Sequence, residues 1–332
     1  MSLNPGQYRV FETRPPGEEY WSAREELFNA HGYKFRPRLR KEWTPSWHTT
    51  GKSPLHSEDG EILKTHLVDA YTDEGKCVCI KRVLRNDEEP RIAQMLSTKE
   101  LRADPRNHCV PIIEVIDDPD DDSVSYMVMP LLRMADLPPF QYVKEIVDFM
   151  DQTLEGLVFI HENGVAHRDC VMRNFLMDAD AMYPEGFHPV NYWFKRDYSG
   201  WATHIPRSVA GVRYYFADFG ISVRIPEEEP QKFVTGTLGR DQEPPELSDT
   251  VPYDPFKLDI FIIGNMLRQE FCDKFTNTDF LRPLAQWMTN ADPEQRPTAK
   301  EVLRQWLETR QTISVVNMEW RPRPRMENIL GT

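Results

Sequence analysis

The sequence predicts an α+β protein with a strand-rich first part and a helix-rich second part. Between residues 67 and 131, short runs of β-branched and other apolar residues alternate with turn residues, which is typical of strands and hairpins. After residue 132, apolar residues recur at helical spacing instead. A chain of 332 residues is long enough for two domains, or for one domain with two lobes.

The composition indicates a globular protein and excludes some classes of partner. Hydrophobic residues make up 40% of the chain and charged residues 28%, a balance that can bury a core. Because the formal net charge is −13, we expect neither nucleic-acid binding through phosphate contacts nor a polybasic membrane anchor. The sequence leaves the oligomeric state open.

Cysteine content and apolar run length predict an intracellular protein. The five cysteines are odd in number and none has CxxC spacing, which favours free thiols in a reducing compartment. No apolar run approaches the length of a membrane span, and the first residues lack the apolar core of a signal peptide. We therefore expect a cytoplasmic location, with a nuclear one left open.

The strand-rich part, residues 51–132, is expected to follow an N-terminal extension over residues 1–50. The extension has one predicted helix, 18–30, and then a basic stretch, 36–47, that we interpret as an extended, packed arm. Alternation of apolar residues predicts strands at 67–71, 77–84, 110–116 and 124–131. A short helix is predicted at 91–96.

Helices dominate the predicted second part, residues 133–310, which a tail over 311–332 follows. The first helix begins at Val143 and ends before Gly164. An aromatic-rich stretch, called the insertion below, covers about 179–212, and we interpret it either as a docking surface or as a packed surface loop. The remaining predicted elements are a strand at 214–217 and helices at 255–271, 279–288 and 298–307.

Two short motifs in the second part carry chemistry. An HRD sequence at 167–169 is followed, five positions after its aspartate, by Asn174, and a DFG sequence stands at 218–220. This ordered combination resembles the protein kinase superfamily, whose catalytic loop and metal-binding motif have this form. The resemblance implies a bilobal fold with a strand-rich N-lobe and a helical C-lobe. The stretches 209–220 and 245–261 also look like kinase-like proteins of basidiomycete fungi.

The resemblance implies roles for four residues in phosphoryl transfer. Asp169 would orient the substrate hydroxyl and accept its proton, and Asn174 and Asp218 would bind Mg²⁺. Lys81, in a VCIK sequence that stands where kinases have VAIK, would pair with the phosphates of ATP. Without the resemblance, Asp169 is a loop carboxylate and Lys81 is a strand lysine that discourages edge-to-edge association.

The family pattern also places a glutamate partner for the strand lysine on the next helix. Glu89 fits best, because Ile92 and Leu96 follow it at helical spacing, and Glu88 is the alternative. Since proline prefers the first helical turn, Pro90 predicts that Glu89 lies at the helix entrance.

Residues 126–132 resemble the fifth strand and hinge that border adenine in kinases. Met129 would be the gatekeeper, and the backbone of Pro130 and Leu132 would face adenine. The cofactors that the resemblance implies are therefore ATP and Mg²⁺, and the implied substrate is a hydroxyl group of a protein.

Residues later in the chain extend the resemblance. Glu246, in a PPE sequence, stands for the glutamate of the APE motif, and Arg296 resembles the arginine that pairs with it. Asp259 resembles the helix aspartate that braces the catalytic loop.

A phosphorylation switch in the activation segment, residues 221–243, is also expected. Arg168 is the type of cation that pairs with a phosphorylated loop, and Thr235 and Thr237 are candidate acceptors. The competing interpretation is that the glutamates at 227–229 already supply the negative charge.

The sequence departs from the family where a glycine-rich loop would cover the phosphates. It reads HSEDGEILK there, with Gly60 as the single glycine. Loop amides that close over phosphates need several glycines, and Glu58, Asp59 and Glu61 would repel phosphate. We therefore expect weak nucleotide binding, or a lid that closes in a different way.

A second departure lies in the catalytic loop. The usual lysine two positions after the aspartate is replaced by Val171, and Arg173 is the basic residue that would supply the missing charge. Our leading hypothesis is a protein kinase. A pseudokinase that acts as a scaffold is the main alternative, and a small-molecule phosphotransferase is the third.

Overall fold

The protein is described by a computed structural model that covers residues 9–63, 66–226, 228–230 and 232–325. The chain divides into two compact units. Unit 1 contains Met1–Arg85, Ile112–Leu132 and Asp180–Ile205, and unit 2 contains Asn86–Pro111, Arg133–Ala179 and Pro206–Thr332. Strands and helices are both present, and the predicted α+β class is confirmed.

The secondary structure, within the residues described, is as follows. The helices are α1 (Arg9–Glu12), α2 (Pro16–Ala23), α3 (Glu25–Ala30), α4 (Trp47–Thr50), α5 (Glu88–Leu96), α6 (Lys99–Arg102), α7 (Val143–Glu162), α8 (Arg207–Ala210), α9 (Pro255–Leu267), α10 (Arg282–Met288), α11 (Ala299–Thr312) and α12 (Val315–Met318). The strands are β1 (Lys34–Phe35), β2 (Leu67–Tyr71), β3 (Cys77–Leu84), β4 (Glu114–Asp117), β5 (Val124–Pro130), β6 (Arg133–Met134), β7 (Val165–Ala166), β8 (Phe175–Asp178), β9 (Arg213–Phe216), β10 (Val223–Arg224), β11 (Val234–Gly236) and β12 (Ser248–Tyr253).

Unit 1 is built on a five-stranded antiparallel sheet with the order β1-β2-β3-β5-β4. Alternate side chains of a strand point to opposite faces. One face, which carries Val68 and Ile80, packs into a core with Trp21, Phe28 and Tyr126. The N-terminal extension therefore covers this face of the sheet. The opposite face, termed the second face, carries Leu67, Asp69, Cys79, Lys81 and Met129.

The N-terminal extension differs from its prediction in two places. The helix predicted over 18–30 is interrupted at Arg24, whose guanidinium Nε donates to Asp118 Oδ2 at 2.6 Å. The arm is packed as expected, but Pro37–Leu39 forms a 3₁₀ turn. The arm buries two arginines, and each is paired with a carboxylate. Arg36 pairs with Asp69 at 3.0 Å, and Arg38 pairs with Glu18 at 2.7 Å.

Unit 2 is organised around α7 and α9, both of which are largely buried. The prediction that the first helix ends before Gly164 is confirmed, since α7 ends at Glu162 and Gly164 has a φ of +71°. The helix predicted over 255–271 is α-helical to Leu267 and finishes in a π-helical turn, Arg268–Cys272. The short β-pairs β7–β10 and β11–β12 and the sheet β6-β8-β9 complete the unit.

One predicted strand begins later than expected. The sequence predicts a strand over 110–116, but β4 starts at Glu114. Pro111 has no N–H to contribute to a ladder, and the N–H of Val110 bonds to Phe216 O at 2.9 Å instead. Within the part of the chain described, no helix is long and apolar enough to cross a membrane.

Candidate functional site

The carboxylate of Asp169 is held from two sides in unit 2. Asp169 lies between β7 and the 3₁₀ turn Met172–Asn174. The Asn174 amide Nδ2 donates to Asp169 Oδ2 at 2.7 Å and to the Asp169 backbone oxygen at 2.9 Å. The backbone N–H of Arg240 donates to the other carboxylate oxygen at 2.8 Å. The orientation of this carboxylate is therefore fixed by the surrounding chain.

Asp259, on the buried helix α9, braces the loop before Asp169 as the sequence predicts. Its two carboxylate oxygens accept the backbone N–H groups of His167, at 2.8 Å, and Arg168, at 2.6 Å. The His161 ring Nε2 lies 3.0 Å from the same carboxylate. Because Asp259 is fully buried, these bonds are shielded from water.

Arg168 reaches the activation segment, but its partners there are neutral. Its guanidinium donates to the backbone oxygens of Ile221, at 3.2 Å, and Thr235, at 3.1 Å, and to the Tyr253 hydroxyl at 2.9 Å. Arg168 also has a φ of +67°, in the left-handed region that side chains rarely adopt. Among the glutamates at 227–229, which are the alternative source of negative charge, Glu227 lies outside the described residues.

The segment with Asp218 adjoins the catalytic loop. The Ala217 N–H donates to Asn174 O at 2.9 Å, and the His167 ring Nε2 lies 3.1 Å from Ala217 O. Burial lowers the pKa of His167, so its ring is neutral and packs 4.9 Å from the Phe219 ring. Asp218 has a φ of +64°. Such a left-handed conformation in a residue with a side chain is typical of functional loops.

Asn174 and Asp218 present a donor set that suits Mg²⁺. The Asn174 amide nitrogen is committed to Asp169, while its amide oxygen has no hydrogen-bond partner among the described residues. Carboxylate and carbonyl oxygens are the hard ligands that Mg²⁺ prefers. The residues present therefore fit the cation that the sequence implies.

Glu89 lies next to the DFG segment. It is the second residue of α5, which confirms the expected place at the helix entrance. A Cβ added to Gly220 would lie 3.3 Å from Asp218 Oδ1 and 3.6 Å from Glu89 Oε2. The alternative, Glu88, instead pairs on the surface with Arg91 at 2.8 Å. Lys81 belongs to unit 1, and its pairing with Glu89 stays a prediction.

Arg173 is exposed on the turn that carries Asn174. Its guanidinium has no ion-pair or hydrogen-bond partner within the part of the chain that the structure describes. It lines a cavity of about 500 Å³ in unit 2 together with Val171, Arg240 and Glu243. A cation without a structural partner is consistent with the catalytic role predicted for it.

The predicted nucleotide residues of unit 1 lie on or beside the second face of its sheet. Strand pairing places Lys81 opposite Met127, and Cys79 opposite Met129. Pro130 is the last residue of β5 and Leu132 is buried two positions later. Their roles toward adenine and phosphate stay predictions.

The segment that replaces the glycine-rich loop is a packed 3₁₀ turn, Glu58–Gly60. A Cβ on Gly60 would lie 1.9 Å from Pro54 O, so this glycine is required by backbone packing and gives no evidence of phosphate binding. Asp59 accepts hydrogen bonds from the Trp43 indole at 2.9 Å and the Ser46 N–H at 2.8 Å. Its carboxylate therefore accepts hydrogen bonds from the N-terminal extension.

Sequence reasoning missed the position of one carboxylate, Asp69, and one contact of another, Asp169. Asp69 shares the second face with Cys79 and Lys81, and the period of two in LVDAY was the signal that could have found it. The approach of Arg240 to Asp169, 3.7 Å between Nε and Oδ2, has no sequence signal because it depends on the folded path of the activation segment.

Comparison with known proteins agrees with this geometry. A family model described as "Protein kinase domain" matches residues 65–278, which is more than half of the chain. A search of curated proteins gave no match.

Proposed function

The chain belongs to the protein kinase domain family, and we propose that it is an ATP- and Mg²⁺-dependent protein kinase that phosphorylates a protein hydroxyl. The observation that carries this proposal is the fixed carboxylate of Asp169. Asn174 and the backbone of Arg240 orient it by hydrogen bonds of 2.7 and 2.8 Å.

Each proposed residue has a defined chemical task. Asp169 orients the acceptor hydroxyl and takes its proton as the phosphoryl group transfers. Asn174 and Asp218 hold Mg²⁺, which neutralises charge on the nucleotide phosphates when it is bound. Arg173 and Lys81 supply positive charge to the phosphoryl oxygens. Met129, Pro130 and Leu132 border the base.

A pseudokinase scaffold is the second candidate, and two observations favour it. The described turn at Glu58–Gly60 has a glycine committed to packing, which leaves no flexible loop of the usual kind there. The Arg240 guanidinium also lies 3.7 Å from Asp169 Oδ2, and a catalytic base must leave its carboxylate open to the acceptor hydroxyl.

Labelled ATP distinguishes the two candidates. We expect purified protein with Mg²⁺ and γ-labelled ATP to transfer label to proteins in a mixed substrate pool, and phosphoamino-acid analysis then identifies serine, threonine or tyrosine. The Asp169→Asn variant should lose this transfer. If wild type labels no protein while it binds nucleotide, the scaffold is correct and the proposed function is wrong.

A further inference from the structure

The cavity of about 500 Å³ beside the catalytic loop is lined entirely by residues of unit 2. The apolar part of its lining consists of Val171, Met172, Ile262 and Met266. The charged part consists of Arg173, Arg240, Asp241, Glu243 and Glu270. A volume of this size is in the range of binding sites. The kind of group that the cavity binds therefore depends on which of these charges lack a partner.

The acids of the lining are already engaged. Arg268 Nη2 donates to both carboxylate oxygens of Glu243, at 2.9 and 2.7 Å. Glu270 forms an ion pair with Lys274. Asp241 Oδ2 accepts a hydrogen bond of 2.8 Å from the amide of a buried asparagine on α9. Because each carboxylate has a partner, the acids contribute little negative charge to the cavity.

The two arginines of the lining are much less engaged. Arg173 has no ion-pair or hydrogen-bond partner within the described chain. The Arg240 guanidinium approaches one carboxylate, that of Asp169, and its Nε lies 3.7 Å from Oδ2. This distance is too long for a hydrogen bond, and the Arg240 side chain is 54% exposed. Exposed ion pairs of this kind are weak, so the guanidinium is available to a better acceptor. The cavity is therefore positive in a chain whose net charge is −13.

Arg240 also restricts access to Asp169. Its backbone N–H and its guanidinium both lie against the Asp169 carboxylate, and the Asp169 side chain is 10% exposed. The neighbouring Gly239 has a φ of +125°, and a Cβ there would lie 3.7 Å from Asp169 Oδ1. An acceptor hydroxyl has to come within about 3 Å of a base that takes its proton. We therefore expect the guanidinium to leave Oδ2 before the hydroxyl binds, while the backbone N–H keeps its bond to Oδ1.

We propose that this cavity binds an anionic side chain of the protein substrate, close to the acceptor hydroxyl, and that this side chain draws the Arg240 guanidinium away from Asp169. A carboxylate or a phosphate ester accepts two parallel hydrogen bonds from a guanidinium, which the contact at 3.7 Å does not provide. A substrate with such a group opens the catalytic base, and a substrate without it meets a covered one. The proposal rests on the proposed function and names its substrate class, which is protein segments with an acidic or phosphorylated residue beside the acceptor.

Phosphorylation kinetics with matched peptides tests this proposal. The peptides carry Asp, phosphoserine or Asn at a single position, within about three residues of the acceptor on either side, which an extended chain spans in about 10 Å. At the best position, wild type should use an anionic peptide with a kcat/KM about tenfold higher than the Asn peptide. The Asp and phosphoserine arms show which anionic group is preferred. Arg240→Ala should lose the preference, and it should phosphorylate the Asn peptide at least as fast as wild type because Asp169 is uncovered.

Arg304→Ala is the matched control, because Arg304 is an exposed arginine of α11 that does not line the cavity. It should keep the wild-type preference. Arg240→Gln replaces Arg240→Ala if the latter does not fold, and the same loss is expected. Equal kcat/KM for the three peptides with wild type, or an unchanged preference in a folded Arg240 variant, would overturn the inference and leave the proposed function intact.

Peptide binding without nucleotide separates the two proposals in the other direction. Fluorescence anisotropy should show that wild type binds a labelled Asp peptide more tightly than the Asn peptide, and that Arg240→Ala binds both alike. If this difference is found while wild type transfers no phosphate, the anionic peptide site is supported and the proposed function fails. Equal affinity of wild type for the two peptides would count against the inference even then.

Discussion

Arg296 and Glu246, which are 50 residues apart in the sequence, form a doubly hydrogen-bonded ion pair. Arg296 Nη2 donates to Glu246 Oε2 at 2.8 Å, and Nη1 donates to the other carboxylate oxygen. The side chain of Arg296 is 0% exposed and that of Glu246 is 9% exposed. Arg296 Nε also donates to Asn290 O at 2.7 Å. The pair links the chain just after the activation segment to the turn that precedes α11.

Removing Arg296 should destabilise the protein strongly. Arg296→Ala leaves the Glu246 carboxylate without its buried partner, which costs about 3–5 kcal/mol in the free energy of unfolding. Denaturant unfolding measures this loss. Arg91→Ala is the control, because Arg91 and Glu88 form an exposed pair, and exposed pairs contribute about 0–1 kcal/mol. Equal stability losses in the two variants would refute a structural role for the Arg296 pair.

The sequence predicted elements and pairs that depend on local pattern or on motif. The hairpin at 67–71 and 77–84, the ion pair of Glu246 with Arg296, and the brace by Asp259 are confirmed. It did not predict the break at Arg24, whose guanidinium bonds to Asp118, a residue 94 positions away.

The contact between the insertion and Glu61 was beyond sequence reasoning for the same physical reason. Asn191 Nδ2 donates to Glu61 Oε1 at 2.8 Å, although the two residues are 130 positions apart and nothing in either neighbourhood specifies the other. Asp59 and Glu61, which are predicted to repel phosphate, also accept hydrogen bonds from Trp43, Ser46 and Asn191. That repulsion stays a prediction, and burial and partners decide what each carboxylate does.

Arg173 should act on the rate of catalysis and not on stability. Its guanidinium has no partner among the described residues, so Arg173→Ala should melt at nearly the wild-type temperature. Loss of a charge aimed at the transferring phosphoryl group should lower kcat by about 10²–10³ and raise KM for ATP much less. Steady-state kinetics measures both constants.

A second variant separates this role from a surface role. Adding Val171→Lys to Arg173→Ala restores a cation at the position that the family uses, and kcat should recover in part. Turnover by Arg173→Ala at the wild-type rate would mean that Arg173 has no catalytic role.

Phosphorylation of the activation segment should act through Thr235. Thr235 is exposed and its backbone oxygen already bonds to Arg168 at 3.1 Å, so a phosphate there lies near a cation. Thr237 is less suitable, because its hydroxyl donates to the Asp249 carboxylate at 3.2 Å and a phosphate would meet that charge. We expect intact-mass analysis of active protein to contain phosphate, and phosphatase or Thr235→Ala to lower activity. Full activity in protein without phosphate would exclude the switch.

The free energy of unfolding should decrease as the pH falls from 6.5 toward 4, partly because of His108. Burial lowers the pKa of His108 from 6.5 to about 4, and its ring Nδ1 lies 2.9 Å from Tyr214 O. The unfolded state takes up the proton first, so stabilisation by the neutral ring is complete above pH 6.5 and is lost as the pH falls toward 4. The loss is up to about 3 kcal/mol.

The variant His108→Gln isolates this contribution. Glutamine keeps a donor for Tyr214 O but does not titrate, so its unfolding free energy should depend less on pH between 6.5 and 4 than that of wild type. Chemical denaturation at several pH values gives the two slopes. Identical slopes would contradict the assignment to His108.

The rate of phosphoryl transfer to protein by wild type relative to Asp169→Asn, at saturating Mg²⁺-ATP, tests the central claim most directly. Asparagine preserves the shape of the side chain but cannot accept the hydroxyl proton, so we predict a fall of at least about a hundredfold. Nucleotide affinity should change little, since Asp169 is assigned to the acceptor hydroxyl and not to ATP. A wild-type protein that transfers no phosphate, or an Asp169→Asn variant that transfers it at the wild-type rate, would contradict the account.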